Sequence, residues 1–158
     1  MLTITISNPI KEMQQTVKFP TEDEESLYQI IEKFGDYIIV EHECELGHIR
    51  LNKNFHLDSL NELVKEIALL APYEKRELSA ILEAGYTDLD DAFAIYENRE
   101  YQFYPDMTLA DVAEELVSDG MFGAVPDMLM PYIDYDAIAR DLRYNGYIET
   151  DGGVIIVD

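Results

Sequence analysis

Residues 2–35 read LTITISNPIKEMQQTVKFPTEDEESLYQIIEKFG, and the hydrophobic period changes within them. Leu2 to Ser7 and Gln14 to Phe19 alternate apolar with polar side chains, the period-two pattern of half-buried strands. From Thr21 onward the spacing lengthens. Leu27, Ile30, Ile31 and Phe34 fall on one helical face, and Gly35 supplies a stop. Thr21, with Glu24 three residues later, has the form of a capping box. Two strands followed at once by a helix set the expectation of an α+β fold.

Working outward, Tyr37 to Glu41 and Leu46 to Leu51 read as a hairpin, so residues 1–56 form a small mixed sheet covered by one helix. Residues 57–100 read as three helices. Leu60, Leu63, Val64 and Ile67 line the first, with Ser59 and Glu62 as its capping box, and Pro72 separates it from the second. Leu78, Ile81 and Leu82 line that second helix up to Gly85. Leu89, Phe93 and Tyr96 line the third, capped by Thr87 with Asp90. Residues 101–158 open with a strand, Tyr101 to Tyr104, followed by a helix capped by Thr108 and Asp111 and closed by Gly120. A loop from Met121 to Pro131 leads to a helix started by Asp134 and ended by Gly146. Asp151-Gly152-Gly153 then marks a terminal hairpin. The expected architecture is an elongated chain of three small domains, 1–56, 57–100 and 101–158.

The charge is the dominant compositional fact. Thirty-three Asp and Glu stand against 11 Lys and Arg, a formal net charge of -22, while 47% of residues are hydrophobic. That apolar fraction excludes a disordered acidic tail. The excess deepens along the chain, from ten acids and five bases in 1–56, to eleven and four in 57–100, to twelve and two in 101–158. Self-repulsion of this size destabilises a compact state, so the field itself is expected to have a use. B-DNA carries one charge per about 1.7 Å of axis, so 22 charges match about 37 Å of duplex and a dimer about 75 Å. The same sign argues against direct binding to nucleic acid or an anionic membrane. A lone Cys44 excludes an internal disulfide and fits a reducing compartment. No apolar run reaches membrane-spanning length, and Met1 to Asn8 reads as a strand rather than a leader, so a cytoplasmic protein is expected.

Candidate chemistry is sparse. His42 and Cys44 share one face of a strand with His48 nearby, but no CxxC or HExxH spacing completes a metal site, and no cofactor is expected. No serine lies in a GxSxG elbow, and Gly120-Met121-Phe122-Gly123 lacks a Walker lysine. The acids cluster instead. Glu22, Asp23, Glu24 and Glu25, then Glu62 and Glu66, then Asp88, Asp90 and Asp91, then Asp111, Glu114, Glu115 and Asp119 lie at helix starts or on exposed faces. Each cluster alone has a local explanation, because carboxylates are stabilised near helix N-termini. The missing counterweight does not, since ordinary surfaces mix both signs.

The stretch Tyr132 to Leu142 has an aromatic, apolar end and contains Arg140, one of the last two bases. It reads as a capped amphipathic helix, with Asp136 and Arg140 as an i,i+4 pair, and equally as a self-association face. Gly123, Val125 and Pro126, then Tyr132, Ile133, Asp134 and Tyr135, then Ala139, Arg140, Asp141 and Leu142 resemble the signature segment of ArdA-type antirestriction proteins. Ser59 to Leu63, Glu77 to Ala80, and Phe19-Pro20 with the helix to Gly35 are similar to earlier parts of that family. Ala124, where the family usually carries an acid, and short N-terminal strands are departures.

The resemblance implies a three-domain homodimer joined through its C-terminal domain. Its acidic surface would imitate bent B-form DNA and occupy the DNA channel of a type I restriction-modification enzyme at its methyltransferase core. Such a protein is a stoichiometric inhibitor rather than an enzyme. An acidic adaptor for another basic protein shares the electrostatics but not the target. A carboxylate-pair hydrolase differs from both, because its activity would depend on one acid.

Overall fold

The alternation over residues 2–19 forms two antiparallel strands, β1 (Leu2–Asn8) and β2 (Met13–Phe19), with Ile4 opposite Val17 and Leu2 opposite Phe19. These side chains face inward, and Leu2, Ile4, Ile6 and Phe19 are all but fully buried. The structure is a computed structural model, which describes every residue except His48, Lys53, Asn54, Tyr86 and Thr87. A helix, α1 (Glu24–Phe34), carries the chain across β1 to β3 (Ile38–Cys44), giving the order β2-β1-β3.

Both pairings of β1 are antiparallel, so the sheet is antiparallel rather than mixed. The expected hairpin of residues 37–51 does not form. β3 pairs with β1 instead, and the described residues between Leu46 and Leu51 form no strand (His48 lies outside them). Pairing with β3 as well as β2 satisfies the backbone groups on both edges of β1, the buried central strand. Gly47, at φ +96°, turns the chain away after β3.

Three helices follow, α2 (Leu57–Leu69), α3 (Pro72–Glu83) and α4 (Leu89–Asn98). Two expected caps are corrected. Asp23, not Thr21, caps α1, its carboxylate accepting from the Ser26 amide at 2.9 Å. Thr21 is held elsewhere, its backbone N–H donating to Asn61 Oδ1 (2.8 Å) and its carbonyl accepting from Asn61 Nδ2 (3.0 Å). In α2, Ser59 lies inside the first turn. The Leu57 amide donates to the Tyr37 hydroxyl, which donates in turn to the Phe55 carbonyl, both at 3.0 Å. A tyrosine from the neighbouring strand replaces the local cap. Asp88 stands at the N-cap of α4, and Thr87, expected there, lies outside the described residues.

The C-terminal segment comprises β4 (Tyr101–Pro105), α5 (Leu109–Ser118), a 3-10 turn (Asp127–Tyr132), α6 (Tyr135–Tyr144), β5 (Ile148–Thr150) and β6 (Gly153–Val157). Its antiparallel sheet has the order β4-β6-β5, with the expected hairpin between the last two strands. Gly153, at φ +142°, is required there, because a Cβ would overlap the Tyr104 carbonyl. The expected loop Met121 to Pro131 contains the 3-10 turn, which its irregular apolar spacing did not announce.

The buried side chains form two clusters, and this second sheet is the wall between them. Ile155, with Tyr101, Phe103, Ile148 and Val157, belongs to the larger cluster with β1–β3, α1 and α2–α4. Val154, with Tyr104 and Ile156, belongs to the smaller one with α5 and α6. Alternation along β4 and β6 thus serves both faces. The chain is an α+β protein.

Candidate functional site

The first group of acids gathers where α1 meets α2. Asp23, Glu24 and Glu25 occupy the cap and first turn of α1, where free backbone N–H groups favour anions. The Ser26 hydroxyl and amide hold the Asp23 carboxyl below its usual range. Lys65 on α2 reaches Glu24 at 2.7 Å and Glu62 at 3.1 Å. Its hydrogen bond lowers the Glu24 carboxyl, and the two carboxylates together raise the Lys65 ammonium. Glu24, Asp58, Ser59 and Glu62 line one cleft of about 500 Å³ between these helices. Ser59 also lines a second hollow of about 310 Å³, which includes Asp88 and Asp90 at the start of α4. One surface therefore joins the N-termini of three helices. Glu22, Glu66 and Asp91 are likewise exposed, and Asp88 is half-buried.

The second group lies on α5. Thr108 and Asp111 form the expected capping box, Asp111 Oδ2 accepting from the Thr108 amide at 2.8 Å and holding its own carboxyl low. Asp111, Glu115 and Asp119 follow at i, i+4 and i+8 with Glu114 beside them, so four carboxylates occupy about 12 Å of helix axis. One DNA strand carries a phosphate per about 3.4 Å. Glu115 is half-buried and the other three are exposed. Burial, then Tyr147, then the charges of Glu115 and Asp119 push the Tyr104 phenol up.

Among the described residues, only six of the 33 acids make an ion pair: Glu24, Glu45, Glu62, Glu77, Asp106 and Glu149. The expected pair of Asp136 with Arg140 is not among them, which is a correction. Arg143 reaches Glu149 instead, at 3.4 Å.

The segment from Gly123 to Leu142 divides by role. Asp134 caps α6 through the Ala137 amide at 2.9 Å, and Tyr135, Ala139 and Leu142 pack into the smaller core. Gly123 (φ +89°), Pro126, Tyr132, Arg140 and Asp141 face solvent, and Val125 and Ile133 are half-buried. Sequence reasoning missed the exposure of several apolar side chains in this part of the chain. Met121, Phe122, Met128, Leu129 and Tyr144 are exposed apolar side chains, Met128 at 78% and Tyr144 at 90%. The available signal was an apolar run between glycines and prolines that fits neither period. It missed Asp58 too, which the cleft places beside Glu62.

His42 Nε2 lies 2.9 Å from the Ile49 carbonyl, and Cys44 is half-buried, with its thiol pushed up by burial. His48 lies outside the described residues. Among those described, no three His, Cys, Asp or Glu side chains are arranged to hold a metal ion, and no helix is long and apolar enough to cross a membrane.

Comparison with curated proteins finds no match to the chain. The profile of the family described as antirestriction protein (ArdA) matches residues 7–156, nearly the whole length and both acid groups, and the chain belongs to that family.

Proposed function

We propose that this antirestriction protein inhibits type I restriction-modification enzymes by occupying the DNA-binding groove of their methyltransferase core, with carboxylates standing where phosphates would. The observation that carries this is the scarcity of internal partners: six of 33 acids are ion-paired among the described residues. Like charges at i,i+4 on α5 weaken their own helix by about 0.2–0.5 kcal/mol per pair. Such an arrangement has no use in the isolated fold. Carboxylates fixed on helices are already ordered, so little entropy is lost on docking.

Shape and association support the same reading. The chain exposes 9750 Å², whereas a compact monomer of 18.2 kDa exposes about 8100 Å². The excess fits an extended surface. Met121, Phe122, Met128, Leu129 and Tyr132 are exposed within a segment whose one charge is Asp127, which suits a homodimer contact. Pairing there doubles the length of the mimic. The protein acts in the cytoplasm, has no catalytic residue, and needs neither cofactor nor direct contact with nucleic acid.

Gel filtration of the chain with a purified type I methyltransferase tests the proposal. A complex should form at low salt, weaken as salt screens the carboxylates, and be displaced by duplex DNA. Absence of a complex at low salt refutes the target. Binding to an unrelated basic DNA-binding protein under the same conditions would favour the adaptor reading.

A further inference from the structure

We propose that Arg76 is a positioning residue, which fixes the angle between the two acid groups by clamping α3 to the C-terminal sheet. The first group stands on α1, α2 and α4, the second on α5, and the sheet β4-β6-β5 is the wall through which they connect. α3 packs against β6 there. Apolar contact is non-directional, so Ile155 and Phe103 alone do not set a rotation about the joint. Directional bonds at its rim do.

Arg76 supplies three of them, beside the bond that the Tyr101 hydroxyl on β4 donates to Glu77 on the same helix. Both terminal nitrogens of its guanidinium donate to the Asp106 carboxylate, Nη1 at 3.2 Å, and Nη2 also donates to the Gly152 carbonyl at 2.7 Å. Such forked, charge-assisted contacts fix direction as well as distance. The Asp106 amide donates to the same Gly152 carbonyl at 3.0 Å, so the end of β4 and the β5–β6 turn are held as one unit. Two turns along α3, the Glu83 carboxylate accepts from the Asp151 amide at 3.0 Å. The two grips lie about 10 Å apart along the helix. Approach is close: a Cβ on Gly152 would sit 3.3 Å from both Arg76 Nε and Phe103 Cζ. On the same helix, Ser79 Oγ donates to the Leu46 carbonyl at 2.8 Å, extending the strut to the N-terminal sheet.

The charge makes the idea separable from simple electrostatics. Losing Arg76 makes the chain more acidic, which alone should tighten binding to a basic groove. Losing a clamp should weaken it. This rests on the proposed function, and the test is chosen to fail separately from it.

Arg76→Gln removes the fork and one positive charge, Arg76→Lys removes the fork and keeps the charge, and Lys18→Gln makes the same charge change on the exposed side of β2. Residual dipolar couplings of backbone amides in α2 and α5 report the angle, and titration against the methyltransferase reports affinity. Both Arg76 variants should alter the α2–α5 couplings and weaken binding by about two- to fivefold, as expected for one exposed charge-assisted fork. Lys18→Gln should leave the couplings unchanged and bind at least as tightly as the unaltered chain. Unchanged couplings in both Arg76 variants overturn the proposal, and so do altered couplings with unaltered affinity. If the unaltered chain does not bind the methyltransferase, the proposed target fails, while the couplings still decide whether Arg76 sets the angle. Should Arg76→Gln not fold, Arg76→Lys alone carries the comparison.

Discussion

The acids at the start of α1 are all exposed, as are those on α5 except the half-buried Glu115, but the two sets live under different local rules. Around α1, Lys65 sits between Glu24 and Glu62, and Asp23 closes the helix, so several carboxylates have structural work. On α5 only Asp111 does, in its capping box. Glu114, Glu115 and Asp119 have no cation within 4.0 Å among the described residues, and the last turn of the helix has no base. Asp119 even stands at the C-terminal end, where the helix dipole opposes an anion. The difference teaches how to separate acids that serve the fold from acids that serve a partner. Neutralising Asp23 or Glu24 should cost stability, and neutralising Glu115 or Asp119 should raise it.

The largest effect should come from breaking the proposed homodimer. Met128→Glu with Tyr132→Glu places charges among the exposed apolar side chains of residues 121–132 and alters no residue of α1, α2, α4 or α5. Sedimentation should then show a monomer, and inhibition of a type I methyltransferase should fall more than about tenfold, because each copy presents half the length to the groove. An unchanged sedimentation coefficient with unchanged inhibition would remove this segment from the mechanism and leave the two acid groups to act within one chain.

A smaller effect is expected beneath the first group. Asn61 is 1% exposed and bonds both backbone groups of Thr21, holding the approach to α1 against α2. Asn61→Ala leaves those groups unsatisfied and should cost about 1–3 kcal/mol in urea unfolding. If the cost is negligible, the placement of Glu22 to Glu25 does not depend on α2, and the two acid groups are more alike than the bonds indicate.

What the sequence made legible follows the range of each interaction. Period-two and helical spacing announced β1, β2 and all six helices α1 to α6, because those patterns need only near neighbours. The capping box of Thr108 with Asp111 was readable for the same reason. Tyr37 at the start of α2 and Asn61 beneath Thr21 were not, since each partner lies 18 to 40 residues away. The pairing of β3 with β1 was hidden likewise, because a nearby apolar run looked like a hairpin partner. At the candidate site, the acids could be named from composition and helix phase. Their grouping could not be, since Ser59 joins two hollows only once α1, α2 and α4 are packed. The exposed apolar side chains escaped because residues 121–132 follow no regular period.

Acid and salt sharpen the contrast at Glu24. Lys65 lowers its folded-state carboxyl, so its contribution to stability is complete above the ordinary value of 4.5 and disappears as pH falls through the lowered one. Glu24→Gln should therefore lower the thermal midpoint slightly near neutral pH, and the gap to the unaltered chain should close in acid and in about 1 M salt. A gap that persists in acid would mean that Glu24 acts through packing rather than through charge.

The smallest shift in stability is the most diagnostic, because its sign is opposite. Glu115→Gln with Asp119→Asn removes two like-charged i,i+4 pairs, Asp111–Glu115 and Glu115–Asp119, and the anion at the C-terminal end of α5, while leaving the Thr108–Asp111 cap intact. Relief of that repulsion should raise the midpoint by about 2 °C at low salt. On the proposed mechanism, inhibition should weaken several-fold with a shallower salt dependence, because two carboxylates offered to the basic groove are gone. A stabilised protein that inhibits less well is what partner-serving acids require. A destabilised one would place Glu115 among the acids that hold the fold, as its half-buried position beside Tyr104 would then explain.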